Sequence, residues 1–422
     1  MMERYREYKD SGVKWLGEIP SHWEVVRGLG VFSENKSKNT QLENSTVLSL
    51  SYGKIIVKKD IDSGLVPEEY SSYQIVRPGC IIVRSTDLQN DKTSLRIGYV
   101  CDEGIITSAY LGLQVKGNNN DKYLYYFLHD WDITKEIYRH GNGLRQSLSW
   151  NDLRDNSVLL PPLSEQDAIV RYLDTATSEI DKAIAMQQKM IDLLNERKQI
   201  IIQNAVTKGL DENVEMKESG VEWIGRIPKH WEVRRGKFLF RVVNEYSTTG
   251  QEELLTVSDR TGITPRCMKN VNMFMSESLI GYKKCQKGDI CSNIMWMWHG
   301  AVGVTEYNGV ISPSYGVYRQ IAVNYENKYL DYMLRLPRLV EVYGICSTGL
   351  TESRLRLYPD DFMNIQFFIP PVEEQKSIVL QIQKQITDIE KSIRNAENLI
   401  TLLQERKQII INEVVTGKVR VI

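Results

Sequence analysis

The chain has little of what an enzyme, a metalloprotein or a membrane protein needs. Its six cysteines, Cys80, Cys101, Cys267, Cys285, Cys291 and Cys346, contain no Cys-x-x-Cys pair, which excludes a zinc ribbon or a disulfide framework. They read as free thiols of a cytoplasmic protein. The five histidines supply no metal cluster. No stretch approaches the roughly 18 apolar residues of a membrane span, so no membrane partner is expected. The first ten residues, MMERYREYKD, are charged and carry no apolar core for export. Signatures for nucleotide cradles, for zinc on a His-Glu-x-x-His helix and for a nucleophile elbow are all missing. The nearest glycine-rich segment, HGNGL from His140, lacks a third glycine and reads as a tight turn. The carboxylate pairs Asp211/Glu212 and Asp360/Asp361 read as solvated loop charges. A basic excess is missing too. The net charge of −1 argues against a simple nucleic-acid glove, although the distribution of charge matters more than its sum.

What the sequence has is itself, twice. SGVKWLGEIPSHWEVVRG starts at Ser11 and SGVEWIGRIPKHWEVRRG at Ser219, a shift of 208. PPLSEQ at Pro161 and PPVEEQ at Pro370 are 209 apart, as are NERKQIII at Asn195 and QERKQIII at Gln404. A period this long is a duplicated domain plus helix rather than a solenoid repeat. Framework segments recur throughout: GYVCDEGIITSAY at Gly98 with GVTEYNGVISPSY at Gly303, DKYLYYFLH at Asp121 with NKYLDYMLR at Asn327, and GLRQSL at Gly143 with GLTESR at Gly349. The stretches between them, such as STDLQNDKTSLR at Ser85 and IMWMWHGA at Ile294, do not. One scaffold with divergent loops suits one fold reading two different things.

Short β-branched runs (CIIVR, IGYV, GIIT) read as strands, and 122–128 with 328–334 read as helical turns. After each Pro-Pro a helix is expected, the first capped by Ser164 with Asp167 in its first turn. Residues 165–206 contain no Pro or Gly. Leu173, Ile180, Leu194 and Ile201 form a heptad seam, with Ile169, Ala176, Ala183 and Met190 adding to it and Gln187 and Arg197 filling polar slots. Ile382, Ile389, Leu403 and Ile410 repeat the seam, joined by Ile378, Ala396 and Leu399. Helices of about 40 residues run roughly 60 Å and want a partner. The fold class expected is α+β. Two homologous globular domains of mixed α/β pattern, 1–160 and 209–369, are separated by spacer helices 161–208 and 370–422. The helices pair as an antiparallel coiled coil with pseudo-two-fold symmetry.

Trp15, Trp23, Trp223 and Trp231 are half of the eight tryptophans, with His22 and His230 beside them. Their near-identity between halves favours a packed hook that closes each domain against its helix over a base-stacking role. The ordered set of the Trp-rich segment, a variable domain, a GLRQSL-like turn, PPLSEQ and an ERKQIII helix end resembles the specificity subunit of type I restriction–modification systems, over essentially the whole chain. The resemblance implies two target recognition domains, a non-catalytic role and a bipartite double-stranded DNA site. It also implies docking of two methyltransferase subunits on the helices, adenine methylation by those subunits, and cleavage when restriction/translocase subunits join. No cofactor is expected on this chain; S-adenosylmethionine, ATP and Mg are implied for the partners. The missing Asn/Asp-Pro-Pro-Tyr/Phe motif counts against a methyltransferase in its own right, since the Pro-Pro pairs follow Leu160 and Ile369.

Base edges are read mainly by Arg, Lys, Asn, Gln and Ser/Thr. The candidates in the first domain are Lys36, Lys38, Arg84, Thr86, Lys92, Arg96 and Arg145. In the second they are Arg260, Arg266, Lys269, Lys283, Asn293, His299 and Arg354, with Trp296 and Trp298 placed to touch sugar or base. Thr351 stands where the first half has Arg145. The reading from another class is a coiled-coil scaffold with paired protein-binding domains.

Overall fold

The computed structural model describes residues 3–58, 69–91, 93–140, 146–269, 278–351 and 354–421. The candidates Lys92 and Arg145 lie outside the described residues, as does most of the HGNGL segment. The chain divides into two compact units, Met1–Lys189 with Ala396–Ile422, and Met190–Asn395.

The first unit is built on a four-stranded antiparallel sheet in the order β1-β4-β2-β3: β1 (Phe32–Glu34), β2 (Ile81–Val83), β3 (Ile97–Tyr99) and β4 (Leu111–Val115). Alternation explains the continuous apolar run in β2. Ile81 and Val83 face the main core with Phe32, Ile97 and Leu113, while Ile82 faces a smaller core with Leu48, Val76 and Ile106. Helix α1 (Asp121–Ile133) covers the main core with Tyr123, Leu124, Phe127 and Trp131. Asn120 caps it by accepting from the Tyr123 amide.

The second unit repeats the plan. Its sheet runs β5-β8-β6-β7: β5 (Phe240–Val242), β6 (Ile290–Ser292), β7 (Val302–Val304) and β8 (Gly316–Gln320). Ile290 faces the main core and Cys291 the smaller one. Helix α3 (Asn327–Leu334) takes the place of the start of α1, and α4 (Pro337–Cys346) follows it. In each unit the strand after the Trp-rich segment pairs with the strand before Pro-Pro: Glu24↔Leu160 in one, Glu232↔Ile369 in the other.

The long helices are α2 (Leu163–Lys208, 46 residues) and α5 (Val372–Val415, 44 residues). α2 begins before Ser164, which therefore lies exposed inside the first turn instead of capping it. The residues that act there are Glu165 and Gln166. Gln166 Nε2 donates to the Pro161 carbonyl and its Oε1 accepts from the amide of Asn120, joining the helix start to the cap of α1. Gln375 does the same with Pro370 and the amide of Glu326, the residue that caps α3. A left-handed glycine follows each helix, Gly209 (φ 76°) and Gly417 (φ 73°), the usual way to turn a chain out of a helix.

Within each unit the helices run antiparallel. Asp181 pairs with Lys407 in the first (2.7 Å), and Lys198 with Glu390 in the second (2.6 Å). These are one contact written twice, since each residue of one pair lies 209 positions from a residue of the other. Leu173, Ile180, Ile382 and Ile389 are buried, and Leu194, Ile201, Leu403 and Ile410 are half-buried. The second seam position differs from the expectation. Met190 and Leu399 face solvent, whereas Ile191 is buried and Ile400 half-buried; Arg197 is exposed and Lys198 turns inward. Buried Thr177 likewise takes the slot given to Ala176, and half-buried Ile184 shares the next slot with Ala183. A heptad can be completed by a step of three or of four from the same starting residues, and this coil uses four.

Candidate nucleic-acid interface

The recurring Trp-rich segments are closing hooks. Trp23 and Trp231 are both fully buried. Trp23 Nε1 donates to Glu165 (2.9 Å), which also holds His22 (2.6 Å) and the Tyr5 hydroxyl. Trp231 Nε1 donates to Glu374 (3.1 Å), which also holds His230 (2.7 Å). These tryptophans tie each domain to the first turn of its helix and leave no ring face for a base.

What does not recur is the connection between matched strands: loop 84–96 between β2 and β3, and loop 293–301 between β6 and β7. The first loop is organised by Arg96, whose side chain is completely buried. Its Nη1 donates to the carbonyls of Arg84 (3.2 Å) and Thr86 (2.8 Å). Its Nη2 donates to the carbonyls of Asp87 (3.0 Å) and Asp91, and its Nε to the Tyr138 hydroxyl (3.1 Å). All five N–H groups of a guanidinium thus find acceptors. Arg96 is a loop clamp, and its assignment as a DNA contact is corrected. Beneath it, Asp132 accepts from the Arg96 amide, and burial raises the Asp132 carboxyl above the usual range. The GLRQSL-like turn fastens the buried side of the loop: the Leu88 amide donates to Gln146 O (3.1 Å) and the Leu148 amide to Ser85 O (2.8 Å). Arg84, partly exposed, pairs with Asp91 (3.2 Å), whose carboxyl is held well below its ordinary range by the amide and hydroxyl of Ser94. Thr86 is half-buried, and Lys36 and Lys38 are exposed.

In the second loop, Trp296 is 54% exposed and stacks near Trp298 (6.3 Å, 15°) and His299 (5.2 Å, 24°). Trp298 is anchored through Nε1 to the Met295 carbonyl (3.0 Å). Asn293, 8% exposed, uses its Oδ1 to accept from the Met295 amide, so it shapes the turn and is not placed to read a base. Lys283 is corrected likewise: it is 9% exposed, it donates to the Tyr315 carbonyl (2.8 Å), and burial lowers its pKa. Arg260 is exposed at the tip of the hairpin Leu255–Ser258/Gly262–Pro265, which Arg335 grips by donating to the carbonyls of Asp259 and Arg260. Arg260, His299, Arg335 and Lys328 line one groove of about 700 Å³ with Asp331 and Glu390. Arg266 and Lys269 are half-buried and Arg354 is exposed. Burial also lowers the Lys269 pKa. The structure therefore brings Arg84 and Thr86 together around the first loop. It brings Trp296, Trp298, His299 and Arg260 together around the second.

Gln89 and Asn90, both exposed at the tip of the first loop, were not among the candidates. Their signal was the failure of this stretch to recur. Among the described residues, no group of three His, Cys, Asp or Glu side chains could hold a metal, and no helix is long and apolar enough to cross a membrane.

Residues 20–189 match the family model for the type I restriction modification DNA specificity domain. The chain is 24% identical to the putative type I restriction enzyme MjaX specificity subunit of Methanocaldococcus jannaschii, over 98% of both proteins. The likeness to that subunit takes in both units of this chain. The MjaVIII specificity subunit of the same organism is 23% identical, over 100% of this chain and 98% of that protein. A solved chain, described under the complex assembly and conformational transition of the type I R-M system, shares the fold with a TM-score of 0.67. That match has 15% identity and covers 94% of this chain and 98% of that one.

Proposed function

We propose that this chain is the DNA sequence-recognition subunit of a type I restriction–modification complex, itself non-catalytic. It binds a bipartite, asymmetric duplex site and directs adenine methylation and cleavage by partner subunits. The observation that carries this reading is the pair of loops 84–96 and 293–301: they connect matched strands of matched sheets and differ in length and in side chains. Two like units on one chain touch a duplex at two places, and contacts from one face fall about one helical turn, roughly 34 Å, apart. S-adenosylmethionine, ATP and Mg belong to the partners in this reading. Each unit also offers one exposed apolar stripe on a long helix, Leu399, Leu402 and Ile409 in the first and Met190, Leu193 and Ile200 in the second. The two stripes match at a shift of 209, which suits two copies of one methyltransferase subunit.

Genome-wide adenine-methylation mapping tests this, in a host without other methylation, with the chain and its methyltransferase co-expressed and a control lacking the chain. The expected outcome is one split motif with two different halves. Soluble, associated proteins that leave no motif would favour the scaffold reading instead.

A further inference from the structure

We infer that loop 84–91 is the base-reading element of the first half-site, that Gln89 and Asn90 at its tip touch base edges, and that Arg96 is its positioning residue. The inference rests on the reading of the chain as a DNA-recognition subunit and names where that reading is carried out.

The loop has an inside and an outside. Its inside is anchored: Ser85 and Leu88 are buried, and the Ser85 carbonyl and Leu88 amide are bonded to the 146–148 turn. Its outside is Gln89 and Asn90, exposed at the turn. Asp87 takes a left-handed backbone (φ 60°), which bends the chain so that its own Oδ1 accepts from Asn90 Nδ2 (2.7 Å). That bond orients the Asn90 amide while using one of its two N–H groups. An amide oxygen and a second N–H on one planar group match the N6 donor and N7 acceptor of adenine in the major groove. Gln89 offers the same pair on a longer stem.

Arg96 shows that the shape of the loop matters. Burying a guanidinium is expensive, and among the described residues no carboxylate lies within hydrogen-bond reach of its fork. Its charge is spent on four backbone carbonyls of one loop, which fixes that backbone before any DNA arrives. A loop held in advance loses less freedom on binding and presents its tip in one register.

The test uses the full chain in complex with its methyltransferase subunit and a duplex library with both half-sites randomised. Asn90→Ala and Gln89→Ala are exposed changes that leave the fold intact. Each is expected to relax one position of the first half-site by roughly ten- to hundred-fold and to leave the second half unchanged. Arg96→Lys keeps the charge and removes the fork. It is expected to relax several positions of that same half while binding to nonspecific duplex persists. If Arg96→Lys fails to fold, the two alanine variants decide the matter alone. Selection of the wild-type first half by both alanine variants would overturn the inference, as would a change confined to the second half. A wild-type complex that selects no split sequence would instead bring down the DNA-recognition reading beneath it.

Discussion

Matched positions in the two units have been put to opposite uses. Where α1 carries His129 and Asp130, the segment joining α3 to α4 carries Arg335 and Leu336. Asp130 is fully buried and bonded to Asn412 Nδ2 through both oxygens (3.0 and 3.1 Å); Leu336 is plain core. His129 is buried with Nδ1 unpartnered, whereas Arg335 reaches a hairpin tip. On the helix beneath, Asp174 accepts from the Tyr126 hydroxyl, whose oxygen also lies within reach of the Thr177 hydroxyl, while Gln383 and Ile386 stand 209 positions on and Ile386 joins the core. At these matched positions the first unit meets its helix through polar contacts and the second through apolar ones, with the same hooks at the edges. Duplication preserved what closes a unit and left its filling and its loops free to drift.

The largest expected effect tests the preserved part. Trp23→Ala and Trp231→Ala each remove a fully buried indole and its bond to a glutamate, and each should cost about 3–5 kcal/mol. Hydrogen exchange read separately in each unit should show matching losses, each confined to its own unit. Costs that differ severalfold would break the equivalence of the hooks.

The next effect sharpens the polar-versus-apolar contrast. Burial pushes the Asp130 carboxyl up from 3.8 to about 6. The folded state therefore holds this proton more tightly than the unfolded chain does. The stabilising share is complete below about pH 4 and is lost as pH rises through about 6. Asp130→Asn should stabilise the protein above pH 6 by at most about 3 kcal/mol and make no difference below pH 4. Denaturation midpoints across pH check this. His129, pushed down to about 4 by burial, titrates in the opposite sense, but it is common to both proteins and cancels in their difference. Leu336→Asn, the matched change, should give no such pH window.

The smallest effect concerns the duplicated ion pairs. Glu390→Lys sets two cations together and Asp181→Lys three, since Asp181 also lies 3.9 Å from Lys54; each change should cost about 0.5–1 kcal/mol. Adding Lys198→Glu or Lys407→Glu should restore most of the loss. A double-mutant cycle on each pair measures the coupling, and equal couplings would extend the equivalence to the coil.

The architecture was legible because it was written twice. Recurrence placed the hooks, the Pro-Pro stops and the long helices, and β-branched runs placed β2 and β3. The seam was half legible: Leu173 and Ile180 are where the heptad put them. Met190 and Ile191, adjacent and both apolar, could not be told apart by spacing. The loops were the least legible part. Arg96, Lys283 and Asn293 have the chemistry of base readers, but Lys283 begins a strand and the other two adjoin one, and burial depends on tertiary neighbours that the sequence does not display. Gln89 and Asn90 were overlooked for the converse reason, since an exposed amide in a polar stretch carries no mark of its own.

The Arg96 clamp has a bearing on inheritance. Four of its five acceptors are backbone carbonyls, a group every amino acid carries, proline included. A substitution of Gln89 or Asn90 therefore changes an outward side chain while the grip beneath it persists. If this loop reads bases as inferred above, a lineage can exchange one recognised sequence for another by single substitutions, each passing through a folded intermediate. Under the DNA-recognition reading proposed above, the ability to change the password without rebuilding the lock is a heritable asset.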